Sequence, residues 1–126
     1  MTVRRLLLAT FVSGIALSSV GQAIAQDATA GALVFKAQCG ICHSPQAGRN
    51  LSGPSLFDVV GRPAGKVAGF HYSPANRDSG LIWDTATLDR YLTSPATAVP
   101  HTIMTYPGLK DAQKRADLIA YLATLR

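Results

Sequence analysis

The chain predicts an all-α fold of three or four short helices joined by long loops. Three observations carry this. No stretch alternates apolar and polar residues as a half-buried strand does, and no internal repeat appears. Near the C-terminus, Leu118, Tyr121, Leu122 and Leu125 form an i, i+3, i+4, i+7 stripe, the signature of an amphipathic helix. The segments between helical stretches are dense in glycine and proline, which break regular structure.

The 126 residues suffice for one small domain. Residues 1–25 read as a secretory signal: Val3-Arg4-Arg5 is a positive start, Leu6 to Val20 an apolar run, and Ala23-Ile24-Ala25 a small-x-small cleavage site. The run is long enough to span a bilayer. However, Ser13, Gly14, Ser18, Ser19 and Gly21 dilute it and no stop-transfer charges follow. The expectation is a cleaved signal and a mature domain over 26–126. Cleavage takes Arg4 and Arg5 from the 12 basic residues, leaving ten against seven acidic ones, none of them Glu. A net charge of about +3 supports solubility and weak steering towards acidic partners. No Lys/Arg-rich block with interleaved aromatics argues for nucleic acid.

The mature chain opens with a short leader, Gln26 to Thr29, then a helix over Ala30 to Gln38 with Leu33, Val34 and Phe35 apolar. Gly31 lies on the Phe35 side at helical spacing, so either a partner helix approaches there or it is a flexible first-turn residue. Ser44 to Gly53 is a polar loop, and Leu56 to Val60 a short apolar stretch stopped by Gly61. Arg62 to Tyr72 reads as an irregular loop. Ser73-Pro74 opens a one-turn helix, with serine as N-cap and proline at the first helical position. Asp84 caps a helix over Thr85 to Thr93, whose Leu88, Tyr91 and Leu92 share a face; Pro95 stops it. Ala96 to Leu109 is an aperiodic loop holding Met104. Asp111 caps the last helix, Ala112 to Leu125.

The chemistry concentrates in Cys39-Gly40-Ile41-Cys42-His43. Two thiols three positions apart, followed at once by histidine, form the attachment signature of c-type haem. Each thiol adds to one vinyl group, and the histidine falls beneath the iron as proximal ligand. A thioredoxin-type pair would need a βαβ setting, and a zinc site would need further ligands, but no other cysteine exists. In an exported chain the two thiols would otherwise close a trivial local disulfide. Haem also explains the long loops, because it supplies a core the chain need not build. The carbonyl of Pro54 is free to accept a hydrogen bond from the second nitrogen of His43, although turn chemistry explains Gly53-Pro54 equally well. Once the signal is removed, Met104 is the sole thioether, either a second iron ligand or core filler.

The whole mature domain resembles the class I cytochromes c, and most of all the mitochondrial-like bacterial cytochrome c2 branch. The likeness runs through Gly31 and Phe35; Cys39 to His43; Gly53-Pro54-x-Leu56; Gly61-Arg62; Gly69-Phe70-x-Tyr72; Ala75-Asn76; Trp83; Tyr91-Leu92; Pro95; Val99-Pro100-x-Thr102-x-Met104; and Asp117 to Leu122. The resemblance implies one haem c, covalent through Cys39 and Cys42, with His43 and Met104 as axial ligands and Pro54 accepting from His43. It implies Arg62, Tyr72, Trp83 and Thr102 around the haem propionates, and Asn76 with Tyr91 as a polar network on the methionine side. Gly31 and Phe35 would pack against Leu118 and Tyr121. Taken by residue type alone, Trp83 is more often a core aromatic, and Tyr91 is open to a packing role and Arg62 to that of a solvated surface charge. The chain departs from the family at His101, where glycine usually precedes Thr-x-Met, and at Ile103, where lysine usually precedes the methionine. Gln38 and Ala96 also thin the family's lysine ring.

These features imply a non-enzymatic, exported, monomeric electron carrier of the periplasm. It would shuttle single electrons among partners such as a quinol-oxidising complex, a terminal oxidase, a photosynthetic reaction centre or a periplasmic dehydrogenase, with no stable membrane insertion. The competing class is a haem peroxidase or gas or redox sensor with a labile Met104, for which His101 is the one nearby acid–base candidate. Expressed with a periplasmic haem-attachment apparatus, the protein is expected to be red, to lack residues 1–25 by intact mass, and to keep its haem through acid–acetone extraction. Cys39→Ala or Cys42→Ala should leave at most one thioether. Haem that extracts freely from the wild type overturns this reading.

Overall fold

The structure is a computed structural model that describes residues 24–126. The signal segment expected over 1–25 lies outside the described residues except for Ile24 and Ala25. Among the described residues the fold is helical with no strands, as the sequence predicts; the β-type pairing is one isolated bridge, Pro63 to Ile82. No helix among them is long and apolar enough to cross a membrane.

Helix α1 spans Ala28–Gln38, two residues earlier than the sequence suggests. Asp27 is the reason. Its Oδ1 accepts from the amides of Thr29 at 2.8 Å and Ala30 at 3.2 Å, satisfying donors that a helix start leaves open. The amide of Asp27 in turn donates to Asp117 Oδ1 at 2.9 Å, so the supposed leader is already anchored at this point.

Helix α2 spans Pro74–Arg77, and Ser73 Oγ accepts from Asn76 N at 3.3 Å, as its N-cap role requires. Helix α3 spans Thr85–Thr93, capped by Asp84, which accepts from Thr87 N at 2.7 Å. It buries Leu88, Tyr91 and Leu92 on one face. Helix α4, Pro95–Ala98, is a turn the sequence reading left in a loop. Pro95 does two things: lacking an amide hydrogen it cannot continue α3, and its fixed φ suits the first position of a new turn.

Helix α5 spans Ala112–Leu122, capped by Asp111, which accepts from Lys114 N at 3.0 Å. It ends three residues before the apolar stripe does. Beyond it, the Leu125 carbonyl accepts from Asp58 N at 2.6 Å, tying the C-terminus to the Leu56–Val60 stretch. Buried Arg115 links α5 to α3 through Asp89 at 2.8 Å, and also donates to the carbonyls of Leu109 and Lys110.

α1 and α5 cross at Gly31. A Cβ there would stand 1.9 Å from the Asp117 carbonyl oxygen and 2.8 Å from Tyr121 Cβ. Beside it the rings of Phe35 and Tyr121 meet at 5.3 Å, and Leu118 is fully buried. Of the two readings of Gly31, close helix approach is the one observed. Gly31→Ala must push backbone from backbone, so it is expected to lower unfolding free energy by about 2–3 kcal/mol, read from denaturant midpoints of the holoprotein. An unchanged midpoint would contradict the close approach.

Candidate functional site

The site has two walls, built from distant parts of the chain and linked by the Tyr106 hydroxyl donating to Gln38 Oε1. The first begins where α1 ends. Cys39 is the C-cap, and the amides of Cys42 and His43 both return to the Cys39 carbonyl, at 3.0 and 2.9 Å. This tight turn keeps both sulfurs and the imidazole in one short span. The thiols are unpaired; Cys39 is half-buried and Cys42 exposed. Burial, and secondarily the neighbouring Cys42, pushes the Cys39 thiol up to about 11. A thiol held protonated this way is the opposite of the acidified cysteine that a thioredoxin-type pair requires.

His43 is half-buried, and its Nδ1 lies 2.8 Å from the Pro54 carbonyl oxygen. A carbonyl accepts only, so Nδ1 carries the proton and Nε2 presents a lone pair. Burial lowers the His43 pKa, and the bond to Pro54 opposes that only in part. The ring is therefore neutral at pH 7, the form that ligates a metal. Gly53 seats it: a Cβ at Gly53 would come within 2.3 Å of His43 Cε1. The loop that returns Gly53 and Pro54 to the histidine is closed by Gly53 N to Cys42 O at 2.8 Å and Leu56 N to Ser44 O at 2.9 Å. Buried Ser55 completes it: its amide donates to Asn50 Oδ1 at 2.9 Å and its hydroxyl donates to the Gln46 carbonyl at 2.6 Å.

The second wall carries Met104, half-buried against the core. The Tyr91 hydroxyl donates towards its sulfur at 3.8 Å. Thr102 Oγ1 accepts from the Met104 amide at 3.3 Å and from Asn76 Nδ2 at 3.0 Å. Burial raises the Tyr91 pKa, with hydrogen bonds to Thr102 and Asn76 opposing, so Tyr91 remains a donor. Trp83 lies tilted against Tyr91 with ring centroids 4.7 Å apart. The backbone of Trp83 is pinned to Gly61 and Arg62 by bonds of 3.0 Å each.

Arg62 and Tyr72 form a third group. The guanidinium donates to the carbonyls of Phe57 at 2.7 Å and Ser55 at 3.1 Å, and has no carboxylate partner among the described residues. Burial lowers its pKa, with Tyr72 and Asp58 opposing. Tyr72 accepts from Val67 N at 3.3 Å and meets Phe70 edge-on. Thr102 is joined by hydrogen bonds to Asn76 and Met104, and Trp83 touches both this cluster, through the Tyr91 ring, and Arg62, through the backbone.

This donor set fits haem. Among the described residues no three His, Cys, Asp or Glu side chains gather as a self-sufficient metal site. A neutral imidazole, a thioether and two thiols in Cys-x-x-Cys spacing suit a macrocycle that brings its own iron ligands. The half-buried Arg62 without a carboxylate suits a propionate, and Leu56, Val60, Ala75 and Leu81 offer partly buried apolar surface.

Comparison with known proteins decides the family. The cytochrome c family model matches residues 28–126. The chain belongs to the cytochrome c family. Cytochrome c2 of Rhodopila globiformis is 47% identical over 106 residues, 84% of this chain and 100% of that one. Cytochrome c2 of Rhodomicrobium vannielii is 46% identical over 123 residues, 90% of this chain and 97% of that one. Among solved structures, cytochrome cH from Methylobacterium extorquens superposes with a TM-score of 0.73 at 44% identity, covering 78% of this chain and 98% of that one. The class I, c2-like assignment made from the sequence therefore holds, and with it one covalent c-type haem whose attachment points are Cys39 and Cys42. As a cytochrome c, the protein is an electron carrier.

Sequence reasoning missed Ser55, whose only signal was a serine amid turn residues, and the ring-seating role of Gly53. It did single out His101, which is exposed and adopts φ +66, the left-handed region that explains the family's glycine. His101→Gly is therefore expected to raise unfolding free energy by about 1 kcal/mol, read from denaturant midpoints with haem bound. A loss of stability would show that the histidine side chain makes a contact worth more than its backbone strain.

Proposed function

We propose that the mature protein is residues 26–126, exported to the periplasm, where it shuttles single electrons with His43 and Met104 as the two axial ligands of its haem. The observation that carries this reading is the pair of prepared donors. His43 has its Nδ1 proton engaged by Pro54, and Met104 has its sulfur held by the Tyr91 hydroxyl. With both axial positions supplied by the chain, no iron position is left for a substrate, which favours a carrier over a peroxidase or sensor. Bound haem supplies the one-electron ferric/ferrous couple.

The remaining residues hold and tune. Pro54 orients the imidazole and raises its basicity. Asn76, Thr102 and Tyr91 orient the thioether and keep bulk water from it. Arg62, with Tyr72 and Trp83 nearby, offers donors for the propionates. Partners are redox proteins: a quinol-oxidising complex, a terminal oxidase, a photosynthetic reaction centre or a periplasmic dehydrogenase. A monomer suffices, since the cofactor needs no second chain.

The deciding experiment is spectroscopic and electrochemical. The wild-type ferric protein is expected to show a sulfur-to-iron charge-transfer band and one reversible one-electron wave, and to turn over no peroxide. Met104→Ala should abolish the band, lower the potential and admit exogenous ligands. A wild type without the band, or one whose spectrum Met104→Ala leaves unchanged, refutes the ligand assignment.

A further inference from the structure

The chain between Thr102 and Leu109 carries Met104 yet is thinly held. No backbone-to-backbone hydrogen bond is made by residues 103–108 among the described residues. Its ends are firm. Thr102 N returns to Val99 O at 3.1 Å, while Leu109 N donates to Leu92 O at 2.7 Å and Lys110 Nζ to Thr93 O at 2.5 Å. In the middle, besides Tyr91 on the sulfur and the Met104 amide on neighbouring Thr102 Oγ1, stands one further link. The Tyr106 hydroxyl donates to Gln38 Oε1 at 2.5 Å, across 68 positions of sequence. Gln38 is the last residue of α1, next to Cys39, and Tyr106 stands two residues past Met104. The bond thus joins the wall that carries the thioether-forming cysteines to the wall that carries the methionine. Tyr106 is half-buried, packed against the core, so its ring is oriented before the hydroxyl is used.

We propose that Tyr106 and Gln38 form a latch across the mouth of the haem cleft, positioning the Met104 loop and limiting how often it opens. This rests on the reading of Met104 as an iron ligand. The latch acts on the lifetime of the closed state rather than on the strength of the iron–sulfur bond. Every opening that frees Met104 by swinging residues 103–108 away from α1 must first break it. Its partners are uncharged, so the latch does not respond to salt as an ion pair would.

The test uses the ferric holoprotein, with imidazole as the probe ligand and loss of the charge-transfer band as the signal. Tyr106→Phe removes only the hydroxyl, and Gln38→Leu only the acceptor. Each is expected to speed imidazole entry by about three- to tenfold, the range one side-chain hydrogen bond spans. The double variant should be no faster than either single one, because both remove the same bond. Gln38→Glu keeps an acceptor oxygen and should retain the slow rate. Amide exchange should rise at Met104, whose amide is held by Thr102 Oγ1, and stay unchanged at Leu88 and Leu118. Unchanged entry rates, additive effects in the double variant, or equal acceleration of the core amides would each overturn the latch. A wild type without the band overturns the ligand assignment and the latch together; a band present with unaltered rates in the variants overturns the latch alone.

Discussion

The contact on which the rest of the molecule depends is the meeting of α1 and α5 at Gly31. There the Asp117 carbonyl occupies the space that a side chain would need. α1 has only eleven residues and little intrinsic stability in isolation, so its direction is set by what it packs against. That direction matters because its last turn carries Gln38 and hands the chain to Cys39. Asp117 reinforces the crossing a second way, by accepting from the Asp27 amide at the start of α1. One residue of α5 therefore fixes both the spacing of the helices and the start of the one bearing the attachment site.

The cleft that follows is built from groups held uncharged. Burial lowers the His43 pKa and raises that of the Tyr91 phenol, so both side chains stay neutral near pH 7. Burying a charge is costly unless it is paired. Ferric iron carries one more positive charge than ferrous, so an apolar, neutral pocket favours the reduced state, in the same direction as a thioether ligand. The fixed charge near the site, Arg62, is kept at its rim and tied to two carbonyls.

The outer face carries exposed apolar side chains. Ile103 is 69% exposed and Ile41 87% exposed, and Gln38 stands where lysine is common. Gln38 is not merely a missing charge, however. Its amide is engaged by Tyr106, a role that a lysine, which only donates, would fill in a different geometry.

Local information in the chain was enough for a good part of this. Cys39-Gly40-Ile41-Cys42-His43 announces its chemistry because thioether attachment demands that spacing. Asp84, Asp111 and Ser73 announce helix starts because capping is a contact within three residues. Gly53-Pro54 and the Thr102–Met104 stretch were legible through family likeness. Some boundaries were not. α5 stops at Leu122 although the stripe runs to Leu125, whose carbonyl accepts from Asp58, more than sixty positions away in sequence. α1 begins at Ala28 because Asp27 is held by Asp117. The grouping of Thr102 with Asn76 and Met104, the Gly53 seat under His43, and the Tyr106 bond to Gln38 join residues that no period or motif relates. The sequence alone determined the cofactor, its attachment points and the helical class, since each rests on contacts between near neighbours. Which side chains face one another across the cleft was decided by tertiary structure, because only the α1–α5 crossing and the return of the loops bring those distant segments within hydrogen-bonding distance.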